Sequence, residues 1–269
     1  QPNAMGGRKW AGWPIPLPLT WINSPSPSRV ADFWGTGAVA DGPGYKAVDM
    51  FEAVHRGDIR VIWIMGTNPA VSLPDSARVR EALARCPTVI VSDCVAHTDT
   101  TDLADILLPA AGWGEKDGTV TNSERRISRQ RCFLPLPAEV KPDWWIMSSV
   151  AGKLGFGEAF NYKRPADIFR EHAALSAHEN NGERLFNLAG LANLSDAGYE
   201  ALIPVQWPVM EGAGVEAEGS TRLFSDGRFV TDNQRARFVA INTRLPAQQT
   251  SDDYPMVVNT GRIRDQWHT

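Results

Sequence analysis

Between Val48 and Pro109 the apolar residues alternate between helical and strand-like spacing, and this alternation is what most limits the folds open to the chain. Val48, Phe51, Ala53 and Val54 suit a short helix stopped near Gly57. Val61 to Met65 is an apolar run of strand length ending at Gly66. Asp75 or Ser76 can cap a second helix through Arg85, with Val79, Ala82 and Leu83 on one side and Pro87 barring its continuation. Thr88 to Val91 reads as a second buried strand, and Leu103 to Leu108 as a third apolar element before Pro109. Strands joined through helices pair in parallel with right-handed crossovers. The strand ends at Gly66 and Ser92 are therefore expected on one edge of the sheet, the edge where α/β proteins bind ligands. The expected class is α/β, a Rossmann-like parallel sheet with flanking helices.

Beyond this unit the pattern is looser. Amphipathic helices are expected over Asp143 to Leu154 and Asp167 to His178, and Asn180 to Gly219 is poorly periodic. Leu223, Phe224, Gly227, Phe229 and Phe238 to Ile241 suggest short strands about an Asp226, Gly227 turn, and Met256 to Asn259 suggests another. The expected division is an α/β domain over residues 1–219 and the start of a β-rich domain over residues 220–269, cut short.

Composition sets outer bounds. At 269 residues and 43% hydrophobic content the chain can bury a substantial core, and a net charge of −4 argues against nucleic acid or an anionic membrane as partner. Cys86, Cys94 and Cys132 are odd in number and far apart, so neither a disulfide framework nor an iron–sulfur site is indicated, and a reducing, cytoplasmic setting is expected. No apolar run reaches transmembrane length. The chain opens on Gln1 and closes on Thr269, and both ends are expected to be cut.

Four segments carry candidate chemistry. In WIMGTNPAVSLPD a strand runs into Gly66 and Asn68, which offer an approachable backbone N–H and a carboxamide; equally, Asn68 can bond its own backbone in a turn. At the next strand end, Ser92 and Asp93 present a carboxylate suited to ribose hydroxyls or to the N1 and N2 donors of guanine, unless Asp93 is only a solvated turn residue. WGEKDGTVTNSERR, Trp113 to Arg126, reads as a functional loop or a charged surface loop, in which Lys116 offers a point charge and Arg125 or Arg126 a grip on planar anions. TGRIRDQWHT adds a flexible glycine, two guanidiniums and further polar groups; His268 has no ligand partner at metal spacing, so no metal site is indicated.

Together these segments resemble the bis(molybdopterin guanine dinucleotide) oxidoreductases, and WGEKDGTVTNSERRISRQR followed by KPDWW is similar to the assimilatory nitrate reductases in particular. The similarity covers most of the chain. It implies that the dinucleotide is held by Asn68, Ser92, Asp93, Lys116 and Asp143, and by the run Thr260, Gly261, Arg262, Ile263, Arg264, Asp265, Gln266, Trp267, His268 and Thr269. For Asp143 the resemblance is the sole ground; its own context gives only a helix start. It further implies a molybdenum cofactor, a double-psi barrel type for the β-rich region, and nitrate as substrate. The family also carries a 4Fe-4S cluster, fed by an electron-donor protein or reductase subunit. Neither the cluster's four-cysteine motif nor a cysteine ligand to molybdenum can be located in this chain.

The resemblance also bears on residues 9–28, where three tryptophans and five prolines fit neither a periodic element nor an ordinary loop. The family continues QPNAMGG with a sequence like REVGGLANTLA, where this chain reads RKWAGWPIPLP. Loss of a single G from a segment coding for the former yields the latter, so these residues are expected to be read in a shifted frame that is restored near Arg29. Two alternatives stand beside the nitrate reductase reading. One is the periplasmic nitrate reductase or formate dehydrogenase branch of the same family. The other is a non-catalytic guanine-nucleotide-binding α/β module, against which stands the lack of a Gly-x-x-x-x-Gly-Lys phosphate loop.

Overall fold

The computed structural model describes residues 26–37, 39–40, 44–137, 139–212, 222–246 and 249–257. The expected shifted segment lies almost wholly outside the described residues, and the run from Thr260 to Thr269 lies entirely outside them.

The chain's alternating core forms as its spacing requires. Helix α1 (Pro27–Trp34) is followed by α2 (Ala47–Arg56), which Gly57 closes in the left-handed conformation at φ 87°. Strand β1 (Val61–Met65) leads through the short α3 (Pro69–Ser72) to α4 (Ser76–Arg85), capped by the Asp75 carboxylate accepting from Arg78 N at 3.3 Å. Strands β2 (Thr88–Asp93) and β3 (Ile106–Pro109) complete a parallel sheet of order β1-β2-β3, in register Val61 to Thr88 and Ile90 to Ile106. Strand β2 runs two residues past the expected Val91, through Ser92 and Asp93. Phe51 and Val54 from α2, Val79 and Leu83 from α4, and Ile62, Ile64, Val89 and Val91 from the strands form one buried core. Each such side chain contributes about 1.5–3 kcal/mol by leaving water.

The polar stretch read as a loop is instead a turn and a hairpin. After the 3-10 turn Trp113–Glu115, strand β4 (Gly118–Thr121) pairs antiparallel with β5 (Arg126–Gln130). Thr119, Val120 and Thr121 supply β-branched residues. The Asn122 side chain accepts from Glu124 N and Arg126 N to form the turn, in which Arg125 takes a φ of 70°. A third strand, β6 (Val205–Gln206), joins β5.

Helix α5 (Asp143–Ala151) begins at the expected residue but gives way to a π turn over Gly152–Phe156, where Gly155 at φ 93° breaks the helical course. Helix α6 (Pro165–Ala177) starts two residues before the expected Asp167, because Pro165 is preorganised for the first helical position. Trp34 Nε1 donates to Glu171 at 2.8 Å and Arg29 pairs with Glu183 at 2.6 Å, which ties α1 to the α6 region.

The poorly periodic stretch turns out to build a second core. Phe169 and Ala173 of α6 pack with Phe186, Leu188, Leu191, Tyr199, Leu202, Val205 and Trp207, and with Ile127 of the hairpin. Helix α7 (Asp196–Glu200) contributes Tyr199. Irregular backbone carries these apolar residues inward, so neither a 3.6 nor a 2.0 period marks them.

The strands expected after residue 220 are not found among the described residues. The Asp226, Gly227 turn does form, with Gly227 at φ 73° and its N–H donating to Phe224 O at 3.0 Å. Phe238, Val239 and Ile241 remain exposed without a ladder partner among the described residues. Apolar composition alone does not make a strand: the backbone groups need a neighbour and the side chains a surface to cover.

Candidate functional site

The carboxyl ends of the strands are stitched into one continuous edge. Gly66 N donates to Ser92 O at 2.8 Å, Ala110 N to Asp93 O at 3.0 Å, and Ala111 N to Lys141 O at 3.0 Å. Lys141 N returns a bond to Pro109 O at 3.1 Å, closing a parallel bridge between Ala110 and Lys141. Four segments, ending at Gly66, Asp93, Ala111 and Lys141, therefore lie side by side, and Asp143 opens α5 two residues later. Gly66 holds φ 58°, and a Cβ there would meet nothing within 4 Å, so conformation and not space calls for glycine.

Along this edge Asn68 is half-buried and accepts through Oδ1 from the Thr100 hydroxyl at 2.6 Å. Ser92 is fully buried and its Oγ accepts from Trp63 Nε1 at 2.8 Å, so its hydroxyl faces the protein and its share in the edge is made by the backbone. Asp93 is half-buried and receives Val95 N on Oδ1 at 3.0 Å, a local turn bond, and among the described residues no donor takes Oδ2.

Lys116 stands between the 3-10 turn and β4, and its ammonium donates to Asp143 Oδ2 at 3.0 Å. Both partners are about one-third exposed, at 31% and 38%. The loop is held on either side. Glu115 accepts from Gly112 N at 2.8 Å, and Asp117 is gripped by Arg129. Arg129 is only 1% exposed at its side chain, bonds Asp117 Oδ2 at 3.1 Å and Glu200 at 3.0 Å, and lies 4.0 Å from the Tyr199 ring centroid. Burial disfavours its charge, but Asp117, Tyr199 and Glu200 outweigh this and hold its pKa above the ordinary value.

Arg125 and Arg126 do not join the edge. Arg125 donates to Trp207 O at 2.5 Å with its guanidinium 5.3 Å from the Trp207 ring centroid, and burial lowers its pKa. Arg126 reaches Pro204 O at 3.5 Å and Glu124 at 3.6 Å. Arg125 thus fastens the hairpin to Trp207 of the second core, and Arg126 is occupied by the hairpin turn and the residue before β6. Of the residues expected to bind, the structure brings Asn68, Asp93, Lys116 and Asp143 to one edge, with Ser92 beneath it.

Thr100, Trp63 and Arg129 escaped the sequence reading. The run Thr98, Asp99, Thr100, Thr101 carried a signal, since its side chains bond its own backbone: Thr98 N donates to Thr101 Oγ1 at 2.6 Å and Thr101 N to Thr98 Oγ1 at 3.0 Å. Among the described residues no group of three His, Cys, Asp or Glu is placed to hold a metal ion, and no helix is long and apolar enough to cross a membrane.

Comparison with known proteins bears on what this edge serves. The whole chain is 51% identical over 272 residues to the nitrate reductase of Klebsiella oxytoca and spans 30% of that protein's length. It is 35% identical over 212 residues to the F420-dependent formate dehydrogenase subunit alpha of Methanocaldococcus jannaschii, covering 79% of this chain and 29% of that one. The fold resembles acetylene hydratase from Pelobacter acetylenicus, with a TM-score of 0.50 at 15% identity over 78% of this chain and 26% of that one. The chain thus corresponds to under one-third of these proteins. Residues 5–153, more than half of its length, match the molybdopterin oxidoreductase family, and the chain belongs to that family.

Proposed function

We propose that this chain is the part of a molybdenum-dependent nitrate reductase that holds the guanine dinucleotide portion of a bis(molybdopterin guanine dinucleotide) cofactor. One observation carries the reading: the hydrogen-bonded row that sets Asn68, Asp93 and the Lys116–Asp143 pair along a single strand-end edge. The donor set fits the group. A carboxamide, two carboxylates and an ammonium can meet the sugar hydroxyls, the phosphates and the N1, N2 and O6 edge of guanine. Thr260 to Thr269 would complete the pocket.

When bound, the molybdenum centre supplies two-electron chemistry: nitrate, two electrons and two protons give nitrite and water. The residues of this chain bind and orient the cofactor's nucleotide end. With three cysteines the chain cannot by itself furnish four cysteine ligands to a 4Fe-4S cluster. The cluster, the molybdenum ligand and the site for an electron-donor protein are assigned to the rest of the full-length enzyme, which we place in the cytoplasm. A formate dehydrogenase is the second reading, favoured by the Methanocaldococcus jannaschii relative.

The full-length holoenzyme tests both readings. Acid release of its cofactor is expected to yield GMP after hydrolysis, and the reduced enzyme to form nitrite from nitrate. CMP in place of GMP would overturn the guanine assignment. Formate oxidation without nitrite formation would move the protein to the second reading. The 269-residue chain alone is expected to form no nitrite.

A further inference from the structure

Thr100 governs which way Asn68 faces. It is fully buried, just ahead of the 3-10 turn Thr101–Leu103, and its hydroxyl makes two bonds of opposite sense. It accepts from Ala70 N at 3.1 Å and donates to Asn68 Oδ1 at 2.6 Å. A backbone N–H can only donate, so the hydroxyl's single proton is free to point at Asn68 alone. The opposite orientation of the carboxamide would set two donors against this hydroxyl and strand a buried O–H without that acceptor. The carboxamide therefore keeps Oδ1 inward and turns Nδ2 away from Thr100, and among the described residues no protein acceptor takes Nδ2.

We infer that Thr100 is a positioning residue which fixes Asn68 as a hydrogen-bond donor toward the strand-end edge, so that the ligand atom read at Asn68 is an acceptor. Ribose and phosphate oxygens and unprotonated purine nitrogens qualify; the N1 and N2 hydrogens of guanine do not, and fall to the carboxylates. The inference rests on the proposal that this edge holds the cofactor's nucleotide.

The test is the rate at which full-length holoenzyme loses its cofactor on dilution, with thermal unfolding followed in parallel. Asn68→Ala and Thr100→Val are each expected to speed loss about tenfold, one hydrogen bond's worth. Thr100→Ser, which keeps the hydroxyl, is expected to stay within about twofold of the parent. In the Asn68→Ala, Thr100→Val double variant the two effects are expected not to multiply, because both remove one oriented donor. Asn68→Asp keeps the oxygen that Thr100 needs and exchanges the outward donor for an anionic acceptor, so against an acceptor atom of the ligand it is expected to lose cofactor at least as fast as Asn68→Ala. Should Thr100→Val fail to fold, Asn68→Asp still tests whether the ligand atom at Asn68 is an acceptor, and Thr100→Ala takes the place of Thr100→Val for the positioning role. Tighter cofactor retention in Asn68→Asp than in the parent overturns the inference, as do multiplying effects in the double variant. If Asn68→Ala leaves the rate unchanged, the nucleotide does not sit at this position and the site proposal itself falls. If Asn68→Ala speeds loss while Thr100→Val does not, the site stands and the positioning role is lost.

Discussion

The Asp143 carboxylate accepts from the Lys116 ammonium at 3.0 Å, joining the first turn of α5 to the loop before β4. An ion pair this exposed adds under about 1 kcal/mol to folding stability. Its value lies in placing two opposite charges beside the strand ends. Asp143→Asn and Lys116→Met are therefore expected to leave the urea midpoint of the full-length enzyme almost unchanged while each speeds cofactor loss about tenfold or more. Equal retention in both variants and the parent would remove the pair from the cofactor site.

Arg129 is expected to behave in the opposite way. Its guanidinium is buried among Asp117, Glu200 and the Tyr199 ring, so the charge is compensated only while all three stay in place. Arg129→Leu is expected to cost about 2–3 kcal/mol by urea unfolding, tempered by the partial exposure of both carboxylates. Arg129→Lys should recover less than half of this, since an ammonium cannot bond two carboxylates and stack on a ring at once. Full stability in Arg129→Lys would show that charge alone suffices.

The part of the fold that could be read from the chain is the part whose burial follows a period. Ile62, Ile64, Val89 and Val91 sit inside strands that match their apolar runs to within two residues, and Gly57 and Asp75 end and begin helices by their own conformational and capping preferences. The hairpin was opaque because the residue at the heart of its buried face is Arg129, a cation that pattern reading assigns to solvent. Leu188, Leu191 and Leu202 were opaque for another reason: they reach the second core from irregular backbone and a single 3-10 turn. At the site, Asn68 and Asp93 were legible from strand ends alone, whereas Asp143 needed the family resemblance, since nothing local to a helix start announces a partner 27 residues away. Thr100 was hidden among similar threonines, and only its bonds to Ala70 and Asn68, some 30 residues away in the chain, separate it from Thr98 and Thr101, which bond each other.

The expected frame shift over residues 9–28 makes a prediction outside the protein. The gene is expected to carry one further G near the codon for Arg8 and a second, compensating single-base difference shortly before Arg29, so that the reading becomes like REVGGLANTLA and rejoins the present chain near Arg29. Sequencing that stretch of DNA checks it directly. A frame identical to the present one would mean that the tryptophans and prolines belong to the protein.

Alkaline pH should act on the second core through Tyr199. The phenol is buried against Phe169, with ring centroids 5.4 Å apart, and lies beneath Arg129. Burial pushes its pKa up to about 12 even though Arg129 pulls the other way. Tyr162 is raised too, by burial and then by its bond to Glu171. The folded chain thus holds these protons more tightly than the unfolded chain, whose tyrosines titrate near pH ~10. The resulting stability is fully present below pH ~10 and is lost as the pH climbs toward about 12, because the unfolded state ionises first. Tyr199→Phe removes one of the two groups and is expected to flatten the fall of the urea midpoint between pH ~9.5 and ~11.5 relative to the parent. A variant whose midpoint falls as steeply as the parent's would mean that Tyr199 is not the group that senses alkali, leaving Tyr162 to account for the slope.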